Sequence, residues 1–107
     1  MRKVSIATNN ILFTENLEVN KAMAELLPAL SQRYRIFLIT QVAAEDSPSH
    51  SAAKLAISSL NCVPEHRSMF CTTAKGKESM VRQLGADLHV DSDPHLCRAL
   101  LRFLGKF

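Results

Sequence analysis

Residues 69–93 read MFCTTAKGKESMVRQLGADLHVDSD, and their order of apolar and polar segments predicts an α/β fold. The stretch contains a short apolar run, a lysine-bearing helical segment, and a second apolar run that stops at Asp91 and Asp93. Parallel α/β sheets have this pattern, because their strands present polar groups at the carboxyl ends, where such folds keep their binding sites. We therefore predict a polar site around Asp91.

The same alternation of strand and helix recurs along the rest of the chain. Strands are predicted over residues 4–8, 34–40, 68–71 and 88–90, and helices after Asn16, from Ser47 and Pro48, over 74–84 up to Gly85, and from Asp93 and Pro94. Right-handed crossovers force such a chain into a parallel sheet with helices on both faces. We predict a Rossmann-like three-layer α/β sandwich of four parallel strands in the order 4-1-2-3. Its switch point would lie between the first and fourth strands.

The segment around the first helix carries more specific expectations. Residues 11–13 would extend the first strand past a polar kink at Asn9 and Asn10. Asn16 would be the N-cap of the helix, and Pro28 would kink the helix or weaken its last turns. The predicted buried face consists of Val19, Met23, Leu26, Leu27 and Leu30, which share one side at helical spacing.

Composition bounds the class of protein. The chain has 107 residues, of which 47% are apolar, so we expect residues 1–107 to form a single Rossmann-like domain with one core. Its net charge of +3 is spread over scattered lysines and arginines, which argues against nucleic acid as a partner. Three cysteines (Cys62, Cys71 and Cys97) without paired spacing favour a reducing compartment. The histidines show no ligand spacing with them, so we expect no metal and no cofactor.

Polar residues at or just past the predicted strand ends resemble the site of haloacid dehalogenase-like hydrolases. The residues concerned are Asn9, Asn10, Thr40, Lys75 or Lys77, Asp91 and Asp93. In that family two aspartates follow the first strand, a Ser or Thr follows the second, a Lys lies on a later helix, and acidic metal ligands follow the last core strand. Thr40, Lys77 (or Lys75) and Asp91 match the later positions.

The first position of that resemblance fails. Ala7 and Asn9 stand where the two aspartates belong. Alanine offers no nucleophile and asparagine exchanges no proton, so covalent catalysis by a carboxylate is lost and Mg²⁺ binding is weakened. We therefore predict that the chain is not an enzyme. On the simplest interpretation Asn9 and Asn10 are turn residues, and Asp91 and Asp93 cap a helix.

Other catalytic patterns are weaker still. Residues 73–79 (TAKGKES) fail as a phosphate-binding loop, because Cys71 replaces its first glycine and Glu78 its Ser or Thr. No serine has an obvious histidine partner in sequence. A receiver-like signalling domain would need an acidic phosphorylation site after a central strand, and none follows Thr40 or Cys71.

Met69 and Phe70 are adjacent on a strand, so they should point to opposite faces of the sheet.

The C-terminal half is similar to the soluble domain of the peroxin twenty-two family. The matching segments are residues 69–73 (MFCTT), 81–84 (VRQL), 88–91 (LHVD), 93–94 (DP) and 101–103 (LRF). The resemblance implies a non-catalytic adaptor that binds the ubiquitin-conjugating enzyme peroxin four one-to-one. The adaptor would hold that enzyme on the cytosolic side of the peroxisomal membrane and promote its activity, which supports ubiquitin-dependent recycling of the import receptor.

Two further expectations follow from this resemblance. The family's N-terminal membrane anchor is expected to have been removed from this chain, whose sequence has no apolar run near the roughly 20 residues of a membrane span. The similarity is densest at the third and fourth helices, which makes Arg82, Gln83, Arg102 and Phe103 the candidate partner-binding residues. The alternative function is a haloacid dehalogenase-like phosphatase, or a phosphate-binding relic of one, that uses Thr40, Lys77 and Asp91.

Overall fold

The structure is a computed structural model that describes residues 2–14, 16 and 18–94 of the chain. Strand and helix alternate as predicted. The elements are β1 (Lys3–Ala7), α1 (Lys21–Arg33), β2 (Arg35–Gln41), α2 (Pro48–Leu60), a 3-10 turn (Glu65–Arg67), β3 (Ser68–Cys71), α3 (Ala74–Leu84) and β4 (Leu88–Val90). Pro94 is helical, and the rest of the predicted last helix lies outside the described residues.

The four strands form one parallel sheet in the order β3-β2-β1-β4. This is the predicted order 4-1-2-3 written from the other edge, so the prediction is confirmed. Central strand β1 pairs with β2 on one side and with β4 on the other, in a register that places Ser5 opposite both Phe37 and His89. The chain therefore reverses its direction of winding between β1 and β4, where a switch point is expected.

The two faces of the sheet are covered by different helices. On one face Ile6 and Leu38 belong to a buried cluster that includes Leu27 of α1 and Ala53 and Ile57 of α2. On the other face Ile39 and Cys71 pack against Val81 of α3. Successive strand residues point to opposite faces, which is why neighbouring Leu38 and Ile39 belong to different clusters. The three-layer sandwich is therefore confirmed.

The strand with Met69 and Phe70 behaves as the alternation predicts. Phe70 packs against the cluster on the α1 and α2 face, whereas Met69 packs against the cluster on the α3 face. Both side chains are partly buried. Each side chain therefore enlarges the core on its own face, at the β3 edge of the sheet.

The start of α1 differs from the prediction. The N-cap is Asn20, whose side-chain oxygen accepts from the amides of Ala22 (3.1 Å) and Met23 (3.3 Å), not Asn16. Residues 11–13 do not extend β1. The chain turns there, and three successive amides from Ile11 to Phe13 donate to the carbonyl of Thr8 at 2.9–3.1 Å.

Burial explains this error. Leu12 and Phe13 are buried from within the turn, each only 1% exposed, so their apolar character mimicked a strand. The prediction that Val19 and Leu26 belong to the buried face of α1 is wrong, because Val19 precedes the helix and Leu26 is 54% exposed. The helix continues through Pro28 and ends at Arg33.

The ends of α2 and α3 follow local chemistry. Ser47 caps α2 by accepting from the amide of His50, and Pro48 occupies the first turn, as predicted. Thr73 caps α3 by accepting from the amide of Gly76 at 2.9 Å. Gly85 ends α3 with φ +65°, the left-handed conformation predicted for it.

Gly85 gives a first test of this account of the helix end. A Cβ atom at Gly85 would meet no atom within 4 Å, so the cost of a substitution is conformational and not steric. We expect Gly85→Ala to lower the free energy of unfolding by about 1 kcal/mol, because alanine resists the left-handed conformation. Gly85→Asn should cost less, because asparagine tolerates positive φ. Urea denaturation checks both; equal stability of Gly85→Ala and wild type would contradict the account.

Candidate functional site

A buried ion pair lies at the switch point predicted from the sequence. Asp91 directly follows β4, and its carboxylate contacts the ammonium of Lys77 on α3, with Nζ–Oδ2 at 3.2 Å and Nζ–Oδ1 at 3.4 Å. The two side chains are only 1% and 6% exposed. Lys75, the other candidate lysine, is exposed instead. The helix thus directs one lysine of its first turns to the carboxyl end of β4.

Two further donors reach the same carboxylate. The ring of His89 contacts Asp91 Oδ2 through Nε2 at 2.9 Å, and the backbone amide of Asp93 donates to Oδ1 at 2.9 Å. With Nε2 donating, Nδ1 of a neutral ring accepts from the hydroxyl of Ser5, which lies 2.7 Å away. The network therefore connects β1, β4, α3 and the segment after β4.

These contacts set the charge state of Asp91. Burial by itself would raise the pKa of its carboxyl, but the hydrogen bonds from His89 and the Asp93 amide, together with the charge of Lys77, lower the pKa below its usual value. The carboxylate is therefore ionised at neutral pH. Burial raises the pKa of the nearby Cys71 thiol, against the opposing charge of Lys77, so Cys71 is a protonated and poor nucleophile.

The asparagines that follow β1 have structural roles. Asn9 Nδ2 donates to the carbonyl of Gln41 (3.0 Å), and its Oδ1 accepts from the Gln41 amide (2.8 Å), so the side chain bridges the ends of β1 and β2. Asn10 has φ +63° and makes the turn, as predicted. The hydroxyl of Ser92 donates to the carbonyl of Asn9 at 3.2 Å, which joins this turn to the end of β4.

Thr40 is not part of the same cluster. Its hydroxyl lies 2.6 Å from that of Thr8, and both side chains are fully buried. Because Ile39 points to the α3 face, the next residue points to the α1 and α2 face. Of the three residues that a phosphatase site would use, the structure therefore brings together Lys77 and Asp91 and leaves Thr40 on the other side of the sheet.

The residues at this site do not fit a divalent cation. Mg²⁺ needs available oxygen ligands. Ala7 has no side-chain oxygen, the side-chain oxygen of Asn9 accepts from Gln41, and both oxygens of Asp91 hold other donors. Nor do the described residues contain any group of three or more His, Cys, Asp or Glu side chains that could hold a metal ion.

Ser5, His89 and Asp91 are hydrogen-bonded in the order of a hydrolase triad, which the sequence did not reveal. A nucleophile must reach its substrate. Ser5 is 0% exposed in the middle of the central strand, so its hydroxyl cannot attack anything outside the core. The contact with Ser5 instead orients the His89 ring so that its Nε2 meets the Asp91 carboxylate. The contact between Ser5 and His89 could have been found by combining the predicted strand order with the alternation of side chains, since the two residues are register partners.

Two of the four predicted partner-binding residues fall within the part of the chain that the structure describes. Arg82 and Gln83 are exposed in the last turns of α3. Arg102 and Phe103 fall in the part of the chain that is not described. Within residues 2–14, 16 and 18–94, no helix has the length and apolar character needed to cross a bilayer.

The fold and the site define an α/β domain of haloacid dehalogenase-like topology, in which the carboxylate that follows the fourth strand, Asp91, is held in a closed ion pair. The family model "Peroxisome biogenesis protein 22, Haloacid dehydrogenase-like domain" matches residues 2–107, and the chain belongs to this family. Membership supports a role in peroxisome biogenesis. The chain is also similar to Peroxisome biogenesis protein 22 of Arabidopsis thaliana, with 26% identity over 89 residues. This match covers 80% of the chain but only 31% of that relative's length.

Replacing the lysine of the ion pair tests whether the network is structural. We expect Lys77→Met to lower the free energy of unfolding by about 3 kcal/mol, because it leaves a buried carboxylate without its cation. The matched control is Lys75→Met on the same helix, where the exposed side chain should change stability by less than about 0.5 kcal/mol. Chemical denaturation of both variants checks this, and equal effects would contradict a special role for Lys77.

Acid should weaken the fold through Asp91. Because its pKa is lower in the folded chain than its usual 3.8, Asp91 stabilises the fold above that usual value and loses this contribution as the pH falls through the folded-state pKa. We expect unfolding free energy to fall below about pH 5 in the wild type. In Asp91→Asn the fall should be shallower from a lower starting stability. Parallel acid dependence in the two proteins would show that Asp91 is not responsible.

Proposed function

We propose that this chain is a non-catalytic adaptor that binds a ubiquitin-conjugating enzyme of the peroxin four type one-to-one. The single observation that carries the non-catalytic part is the state of Asp91. An enzyme of the haloacid dehalogenase type needs this carboxylate for its metal, whereas here its oxygens are engaged by Lys77, His89 and the Asp93 amide. Family membership supports the peroxisomal setting.

The proposed mechanism has two parts. Tethering the enzyme at the peroxisomal membrane raises its effective concentration near the import receptor. Binding also stabilises one conformation of the enzyme and promotes its activity. We propose that the 107-residue chain acts as one cytosol-facing domain, held at the membrane by an anchor outside this sequence. The activity would support ubiquitin-dependent recycling of the receptor.

The first proposed contact surface follows from the family resemblance. Arg82 and Gln83 are exposed in the last turns of α3 and carry polar side chains suited to the rim of a protein interface. Arg102 and Phe103, from the matching segment 101–103, are proposed to contribute as well. An arginine beside an aromatic residue is a composition enriched at interface hot spots.

One observation favours the alternative function, a phosphate-binding relic of a phosphatase. Lys77 and Asp91 meet, as the haloacid dehalogenase-like resemblance implies. Against it, Thr40 lies on the other side of the sheet, and Ala7 and Asn9 replace the aspartates. Mg²⁺-dependent hydrolysis of a generic aryl phosphate distinguishes the two functions. Turnover that is lost in Asp91→Ala would overturn the adaptor proposal.

Calorimetric titration with the peroxisomal ubiquitin-conjugating enzyme of the same organism tests the proposed function directly. We expect a one-to-one complex with micromolar or tighter affinity, which corresponds to about −8 kcal/mol or better. The double variant Arg82→Ala/Gln83→Ala should weaken binding at least about tenfold, or about 1.4 kcal/mol. The matched control is Gln32→Ala/Arg33→Ala, an exposed Gln and Arg pair in the last turn of α1, which should bind like wild type.

Two results would contradict this prediction. Absence of both heat and co-elution, from a chain that is folded by circular dichroism, would refute partner binding. Equal weakening by the α1 and α3 double variants would refute the proposed α3 surface while leaving the complex itself established.

A further inference from the structure

A recess opens at the carboxyl end of the sheet, where the chain leaves β2 and β3. We refer to it as the β2–β3 recess, and its volume is about 460 Å³. The residues that line it are Val42, Glu45, His50, Phe70, Cys71 and Thr72. Neither residue of the Lys77–Asp91 ion pair is among them, so the recess is separate from the switch point. Open α/β sheets hold their ligands outside the carboxyl ends of the strands, which is where this recess lies.

A histidine supplies the most deeply buried polar group of the recess. His50 lies in the first turn of α2 and is only 8% exposed. Its Nδ1 lies 2.8 Å from the backbone nitrogen of Asp46, and this nitrogen can only donate, so Nδ1 accepts. A neutral ring then carries its proton on Nε2. The contact with Asp46 therefore fixes a hydrogen-bond donor at Nε2.

This donor has no partner and can be reached from outside. Nε2 of His50 makes no hydrogen bond with any described residue. In the described part of the chain, Ser68 Oγ is the one side-chain polar atom that is both completely buried and unpaired, so Nε2 is not completely buried. The exposed part of the ring borders the recess, which His50 lines. A ligand that supplies an acceptor there would satisfy a group whose lack of a partner costs free energy.

The rim of the recess offers an acceptor. Glu45 is exposed, and among the described residues its carboxylate has no ion pair or hydrogen bond. No lysine or arginine lines the recess. An anionic ligand would therefore meet Glu45 without a compensating cation, whereas a cationic one would leave Nε2 of His50 without an acceptor. The lining favours an uncharged group that accepts and donates at the same time.

The rest of the lining suits a flat apolar body. Val42 and Phe70 line the recess and pack with the apolar core on the α1 and α2 face. The rings of Phe70 and His50 lie 4.5 Å apart between centroids, at 56° to each other. Aromatic rings favour such tilted and offset contacts with further rings. A volume of about 460 Å³ lies within the roughly 300–1,000 Å³ that is usual for small-molecule pockets.

We infer that the β2–β3 recess binds a small aromatic carboxamide. The amide carbonyl accepts from Nε2 of His50, the amide nitrogen donates to the carboxylate of Glu45, and the aromatic ring packs against Phe70. This binding function goes beyond the proposed adaptor role and does not rest on it.

Titration of the isotopically labelled chain with benzamide tests the inference. We expect saturable shifts of the His50 ring resonances and of the amides of Val42 and Thr72, in the millimolar range because so small a ligand has few atoms. The matched ligand is benzoate, which has the same ring but is negatively charged and has no N–H group. It should cause no saturable shift at these positions. Equal binding of the two ligands, or no saturable shift with benzamide, would overturn the inference.

Two substitutions separate the roles of the two nitrogens of His50. In His50→Asn the side-chain oxygen takes the place of Nδ1 and still accepts from the Asp46 amide, but the donor at Nε2 is lost. In His50→Gln the side-chain nitrogen takes the place of Nε2 and keeps the donor. We expect His50→Asn to weaken benzamide binding at least about fivefold, and His50→Gln less than about twofold. A folded His50→Asn variant that binds benzamide like wild type would refute the inference.

Glu45→Ala supplies a test that does not depend on the packing of His50, because position 45 is exposed. It should weaken benzamide binding at least about threefold, whereas Glu25→Ala, at an exposed position of α1, should bind like wild type. Equal affinities of the two variants would contradict the assigned role of Glu45 and with it the carboxamide chemistry.

A parallel titration with the ubiquitin-conjugating enzyme separates this inference from the proposed function. Shifts of the His50 ring with the enzyme but not with benzamide would identify the recess as a protein contact and overturn the inference. Benzamide binding without enzyme binding would support the recess while the adaptor proposal fails.

Discussion

The buried carboxylate of Asp91 constrains the elements that surround it. An ionised group at 1% exposure is tolerable only if charge and hydrogen bonds compensate its lost hydration. Lys77 supplies the charge, and His89 and the Asp93 amide supply hydrogen bonds. Meeting this requirement fixes how α3 lies across the sheet and how the chain leaves β4. It also explains why Ser5, a polar residue, lies in the central strand, where its hydroxyl donates to Nδ1 of the His89 ring.

The same compensation engages the other polar groups at the switch point. A catalytic crevice keeps its polar groups available to substrate, whereas the polar groups at this switch point bind one another and the ends of β1, β2 and β4. Asn9 is bound to the Gln41 backbone, and Ser92 is bound to Asn9. Exposed side chains lie instead on the outer surfaces of the helices, as Arg82 and Gln83 do on α3.

Much of the fold could be predicted because its rules are local. Continuously apolar runs identify buried parallel strands, Ser47 with Pro48 starts α2, and Gly85 ends α3. The start of α1 could not be predicted in this way. Leu12 and Phe13 lie in a turn and are nevertheless buried, and an apolar pattern does not distinguish such a turn from a strand. The site was predictable in part. Lys77 and Asp91 meet because helix and strand ends converge, but the separation of Thr40 and the pairing of Ser5 with His89 depend on register and on which face each side chain takes.

Chemical-shift mapping of the isotopically labelled chain during titration with the ubiquitin-conjugating enzyme would show where this domain meets its proposed partner. If the domain binds through α3 while the switch point stays closed, we expect saturable shifts at amides of α3, with the amides of Asn9 and Asp91 unchanged. Shifts concentrated at Asn9, Lys77 and Asp91, or no shifts at all, would contradict the adaptor proposal.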